Sequence, residues 1–127
     1  MKTVNKQNVI KLFIAFLPAA LWAALIFILS AQEVLPGLTF SIPDFLLKKT
    51  AHITVFAVLY LLILRGFTKI GVTEHQAWHK AMVICLAYAI LDELHQTTVP
   101  GRSGTVRDVG FDSIGIGLAF LKKFKYI

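Results

Sequence analysis

Charge is what this sequence has least of. Only 16% of its 127 residues are Asp, Glu, Lys or Arg, while 57% are hydrophobic. An ordinary soluble domain carries about 25% charged residues. A water-soluble fold of this size could not cover its surface with so few polar side chains. In lipid the outside is free to be apolar, and the mean hydropathy of +0.72 fits that solvent. One membrane domain over residues 1–127 accounts for the whole chain and leaves no room for a soluble second domain.

Cysteine is nearly absent as well. Cys85 is the single one, so no internal disulfide can form and the sequence carries no redox clue. It lies in an apolar run and reads as a small buried residue. There is no internal repeat, no low-complexity tract and no His-Glu-x-x-His spacing. No histidine follows His95, which argues against a membrane phosphatase with a late histidine nucleophile. His52, His95, Glu93, Asp108 and Asp112 are chemically suited to a metal, but their spacing fixes no geometry. No metal and no cofactor are therefore expected.

What charge there is sits in short segments. The formal net charge is +6. Lys2, Lys6 and Lys11 precede the first apolar run. Arg65, Lys69 and Lys80 flank the middle of the chain, and Lys122, Lys123 and Lys125 close it. No long basic stripe interleaves with aromatics, so nucleic acid is not expected as a partner. The pattern is one of topology signals. Spans are expected at about 12–30, 51–67, 77–95 and 107–121, with Pro18 kinking the first. The first reads as an uncleaved span, because Ile28 and Leu29 stand where a signal-peptide cleavage site wants small residues. With the N-terminus inside, the inner segments hold the nine basic residues just named, and the outer ones hold Lys48, Lys49, Arg102 and Arg107. The expected fold is all-α: a four-helix transmembrane bundle with both termini cytoplasmic. Pro36-Gly37 and Pro43-Asp44 mark breaks in a loop over about 30–49, whose Phe40, Ile42, Phe45, Leu46 and Leu47 suit the membrane interface.

Three of the apolar cores are short. Ala81 to Leu91 covers about 17 Å as a helix, against a hydrocarbon slab of about 30 Å. The helices must therefore continue into polar residues. In the four-span topology those residues gather at the outer end: Ser30 and Gln32 on the first helix, His52 on the second, Asp92, Glu93, His95 and Gln96 on the third, Asp108 and Asp112 on the fourth. Asp92, His95 and Gln96 share one helix face, as do Asp108 and Asp112. Gly110, Ser113 and Gly117 form a small-residue seam for close helix approach. Carboxylates at this depth usually line a bundle interior or a wet cavity, so an acidic outer pocket is expected, with Lys49, Arg102 or Arg107 as counter-charges. His52, with a pKa near ambient pH, suits a proton carrier or ligand, and helix-start polarity is the plainer reading. Arg102 suits either a phosphate clamp or a salt bridge to Asp92 or Asp108.

The run Asp92-Glu93-Leu94-His95-Gln96, followed by Val99-Pro100-Gly101-Arg102-Ser103-Gly104 and then Asp108, resembles the signature of the VanZ-like family. Lys49-Thr50-Ala51-His52 and Ser30-Ala31-Gln32 resemble its earlier motifs. The likeness runs through nearly the whole chain. Asp112-Ser113 departs from it, since members often carry Asn-Thr there, and so does Val55-Phe56, where Glu-Tyr or Ala-Tyr is common. The resemblance implies a multi-pass bacterial cell-membrane protein of the cell envelope, in a family whose founding member is linked to teicoplanin resistance. It supplies no reaction. Three functions follow as expectations. The first is binding or handling of an envelope lipid or glycopeptide-related molecule through Lys49, His52, Asp92, Glu93, His95, Gln96, Arg102 and Asp108. The second is a membrane hydrolase or transferase, with Asp92, Glu93, His95 and Asp108 as catalytic candidates and His52 as a further acid–base group. The third is a non-catalytic subunit of an envelope machine.

Overall fold

The computed structural model describes residues 5–31, 42–102 and 104–127; Gln32, Pro36-Gly37, Phe40 and Ser103 lie outside them. The described residues form four helices and no strand: α1 (Lys6–Ser30), α2 (Ile42–Lys69), α3 (Glu74–Gln96) and α4 (Val106–Lys123). α1 and the part of α2 from Phe45 to Lys69 are long and apolar enough to cross a membrane. α3 and α4 are not in that class, because their polar turns lower their hydropathy. α1 is capped by the Asn5 side chain, which accepts from the Gln7 N–H at 3.0 Å, and it runs through Pro18 without a break.

α2 starts earlier than the sequence pattern suggests. The expected interfacial loop gives residues 42–49 to its first turns. Pro43 reads as a break in sequence. In the first turn, however, its missing N–H costs no helical bond and its fixed φ suits the helix. α2 ends in a tight turn in which Gly71, at φ 91°, takes the left-handed conformation that favours glycine. α3 then begins at Glu74, so His75 and His79 are helical rather than part of a connecting loop.

The inter-helix contacts show the helices alternating in direction. Phe16 of α1 packs edge-on against Phe67 near the end of α2, while Trp22 donates to the Val55 carbonyl nearer its start. The end of α1 meets the end of α3 through Ser30 and Gln96, and the start of α2 meets the start of α4 through His52 and Asp112. α2 is the central element and packs most extensively on α4.

Each core stripe has a simple origin. On α3, Ala77, Ala81, Cys85 and Ala89 recur every four residues and are fully buried. Small side chains there let α2 approach with its large ones: Phe56, Leu59, Tyr60, Ile63 and Leu64. The Cys85 thiol donates to the Phe56 carbonyl at 3.8 Å, in keeping with a small buried residue. Large apolar side chains, by contrast, are exposed on every helix, among them Phe13, Leu21, Leu47, Val83, Leu91 and Leu118. Exposed apolar surface on this scale needs a nonaqueous neighbour.

Candidate functional site

The buried stripes do not stay apolar. The α3 series 77, 81, 85, 89 continues, one period on, to Glu93. On α2, Tyr60 and Phe56 lead back in the same steps to His52. On α4, Ala119, Ile116 and Gly115 lead back to Asp112 and Asp108. Because the three helices alternate in direction, these polar continuations fall at one level.

Two ion pairs tie that level together. The Lys49 ammonium pairs with the Asp108 carboxylate. It also lies 5.3 Å from the ring centroids of both Phe45 and Phe111, within cation–π range. One turn further into the bundle, His52 Nδ1 lies 2.8 Å from Asp112 Oδ1 and 4.0 Å from Glu93 Oε1. Asp112 is 0% exposed and Glu93 is 5% exposed. Glu93 Oε2 accepts from the Thr105 N–H at 3.1 Å. Thr105 in turn caps α4, its hydroxyl accepting from the Asp108 N–H at 3.3 Å.

Two glycines make the approach possible. A methyl group at Gly115 would lie 2.1 Å from the Ile53 carbonyl oxygen, so only glycine lets α4 close on α2 beside His52. A methyl group at Gly104 would lie 2.1 Å from the Glu93 carbonyl oxygen, so only glycine lets the loop press on the end of α3 and present Thr105 to Glu93. The seam expected at Gly110, Ser113 and Gly117 is not where the helices meet. Gly110 and Gly117 face open space, and Ser113 turns its hydroxyl to the Val109 carbonyl of its own helix.

The other candidates occupy a second group, against α1. Gln96 Nε2 donates to Asp92 Oδ2 at 3.1 Å and reaches Ser30 Oγ at 3.5 Å. His95 stacks on Phe27, with ring centroids 4.4 Å apart, so it faces α1 and not the His52 cluster. Arg102 donates to the Leu29 carbonyl at 3.1 Å, at the carbonyl-rich end of α1. The counter-charge on Asp108 is thus Lys49, which is 59 residues away in sequence. Lys49, His52, Glu93 and Asp108 come together in one group, and Asp92, His95, Gln96 and Arg102 at the neighbouring helix ends.

The sequence placed Asp112 in the polar layer and among the metal-suited residues, but not among the ligand-binding or catalytic candidates. Its four-residue spacing from Asp108 was the available signal, and it proves to be the most deeply buried carboxylate of the cluster. A cavity of about 260 Å³ lies at the far end, between α2 and the end of α4, lined by Leu61, Leu64, Arg65, Thr68 and Lys123; it touches none of these groups.

Chemically, the cluster can hold and move a proton. A carboxylate bonded to one imidazole nitrogen orients the ring and supports its charged form. Comparison with curated proteins and with solved structures returns no match. The model of the VanZ/LLP1 family matches residues 3–122, which includes every residue of the polar cluster, and the chain belongs to that family.

Proposed function

We propose that this chain is a multi-pass bacterial cell-membrane protein that binds or handles an envelope lipid or glycopeptide-related molecule at the outer end of four spanning helices, with both termini cytoplasmic. One observation carries the reading: three buried stripes, on α2, α3 and α4, each end in ionisable residues at the same end of the chain's packing. Ionisable groups at that depth are costly and, as a rule, serve function. The family's link to glycopeptide resistance supports an envelope role, and the exposed apolar side chains on all four helices support spanning. Arg102, in the neighbouring group against the end of α1, carries a guanidinium fork of the kind an anionic head group takes.

The expected result is measured by purifying the protein in native lipid and identifying what it retains by mass spectrometry. A phospholipid or polyprenyl species should be retained, and Arg102→Gln should reduce it severalfold at normal abundance. Retention of bulk lipid alone, unchanged by the substitution, would rule the reading out.

A second reading, a membrane hydrolase or transferase, is favoured by the His52–Asp112 pair at 2.8 Å. That is the arrangement of a general base with its orienting carboxylate. In this reading His52 takes the proton, Asp112 holds the ring, and Glu93 acts as the acid. Turnover of added lipid, lost in His52→Gln, would select it over binding.

A further inference from the structure

We propose that His52, Glu93 and Asp112 form a binding site for one divalent cation of the zinc class. The three residues come from three helices, and each offers one ligand atom within 4.8 Å of the others. Two ligands each about 2.1 Å from a tetrahedral zinc ion stand about 3.4 Å apart. The Nδ1 atom of His52 lies 2.8 Å from Asp112 Oδ1 and 4.0 Å from Glu93 Oε1, on either side of that separation. A small side-chain movement closes the set.

A second observation points the same way. Glu93 Oε1 and Asp112 Oδ2 are buried and have no hydrogen-bond partner among the described residues. These are oxygens of carboxylates 5% and 0% exposed. A buried carboxylate oxygen left without a donor is costly, and natural proteins pair such groups or use them to coordinate metals. The Lys49 ammonium, one turn away on α2, already pairs with Asp108. His52, when charged, offsets one of the two carboxylates, whereas a divalent cation offsets both.

The surroundings resemble the outer shell of a metal site. Glu93 Oε2 is fixed by the Thr105 N–H at 3.1 Å, which aims Oε1 toward His52. Fixing one oxygen of a ligating carboxylate from outside is how ligands are oriented before a metal arrives. One imidazole nitrogen and two carboxylate oxygens form a mixed donor set. Imidazole disfavours magnesium and calcium, and the lack of thiolate disfavours copper(I), so zinc fits it well. Three protein ligands leave the fourth tetrahedral position for an oxygen from outside the chain. The inference does not rest on lipid binding and stands or falls on metal alone.

The test uses the full chain in detergent, stripped with a chelator, desalted and titrated with Zn²⁺. Bound metal is measured by elemental analysis after gel filtration, and the thermal midpoint is read with and without Zn²⁺. One equivalent should be retained, and zinc should raise the midpoint, since a ligand that binds only the folded state stabilises it. Glu93→Gln and Asp112→Asn should each weaken retention about tenfold or more and abolish the zinc-dependent rise. If Asp112→Asn does not fold, Glu93→Gln decides, because its amide oxygen can still accept from Thr105. His75 and His79 lie at the other end of α3, with ring centroids 5.9 Å apart, and are the obvious adventitious pair. The variant His75→Ala/His79→Ala should keep its zinc. The proposal is overturned if the unaltered chain retains no zinc, if Glu93→Gln retains it equally, or if only the His75/His79 variant loses it.

Discussion

Asp108 and Lys49 show how much one residue can depend on a partner remote in sequence. Both side chains are mostly buried, at 11% and 13% exposure. Removing one partner of a buried pair strands the other, at a cost of about 3–5 kcal/mol, while removing both can be nearly neutral. Asp108→Asn alone should therefore lower the thermal midpoint in detergent markedly. The double change Lys49→Met with Asp108→Asn should recover most of the loss. An Asp108→Asn protein that melts like the parent would show that the pair contributes nothing. The sequence offered Lys49 as one of three counter-charges, with Arg102 and Arg107, and did not single it out. Arg102 is nearer in the chain to both acidic clusters, and sequence distance is a poor guide once helices pack side by side. Asp112 is a related case: its spacing from Asp108 put the two on one helix face, but only the packing shows that this face is buried against α2.

At the scale of the element, the glycines of α4 separate contact from propensity. Gly110, Gly115 and Gly117 look alike in sequence, yet only Gly115 meets another backbone, that of Ile53. Gly→Ala at an open helical site removes the entropic cost of glycine and stabilises by about 0.5–1 kcal/mol. At Gly115 the added methyl must push α4 off α2, and overpacking costs about 1–3 kcal/mol. Gly110→Ala and Gly117→Ala should thus leave the thermal midpoint unchanged or raise it. Gly115→Ala should lower it and also reduce short-range crosslinking between cysteines placed at His52 and Asp112. An equal response of all three glycines would contradict the packing. The sequence could disclose a seam of small residues, because that needs only composition and period. Which glycine touches depends on the rotation of α4 about its axis, and a stripe with polar residues at one end does not fix that rotation. On α3 the sequence grouped Asp92, His95 and Gln96 on one face; the packing shows that the buried run Ala77, Ala81, Cys85 and Ala89 extends by one period to Glu93.

For the whole molecule the open matter is what the four helices do together in lipid. Composition alone was enough to expect an all-helical chain, since scarce charge and long apolar runs leave few other folds. It was not enough to count spans, because α3 and α4 spend their end turns on Asp92, Glu93, Asp108 and Asp112. Length resolves part of this. At 1.5 Å per residue, the 23 residues of α3 and the 18 of α4 reach about 35 Å and about 27 Å, close to a hydrocarbon slab of about 30 Å. Such helices cross only if their polar ends are shielded from lipid. In this packing Glu93 and Asp112 face α2 and each other, and the carboxylate of Asp108 is neutralised by Lys49. If all four helices cross as proposed, their alternating directions put the turn at Gly71 on the opposite side of the membrane from the turn at Gly101. In that proposed topology the basic residues near Gly71, Arg65, Lys69 and Lys80, favour the cytoplasm for that side. A reporter active only outside the cell should work when fused at Gly101 and fail when fused at Glu74 or after Ile127. Activity at Glu74 with silence at Gly101 would invert the molecule and turn the His52 cluster toward the cytoplasm. Activity at both positions would mean that α3 does not cross, and that its acidic end is shielded by something other than the burial described here.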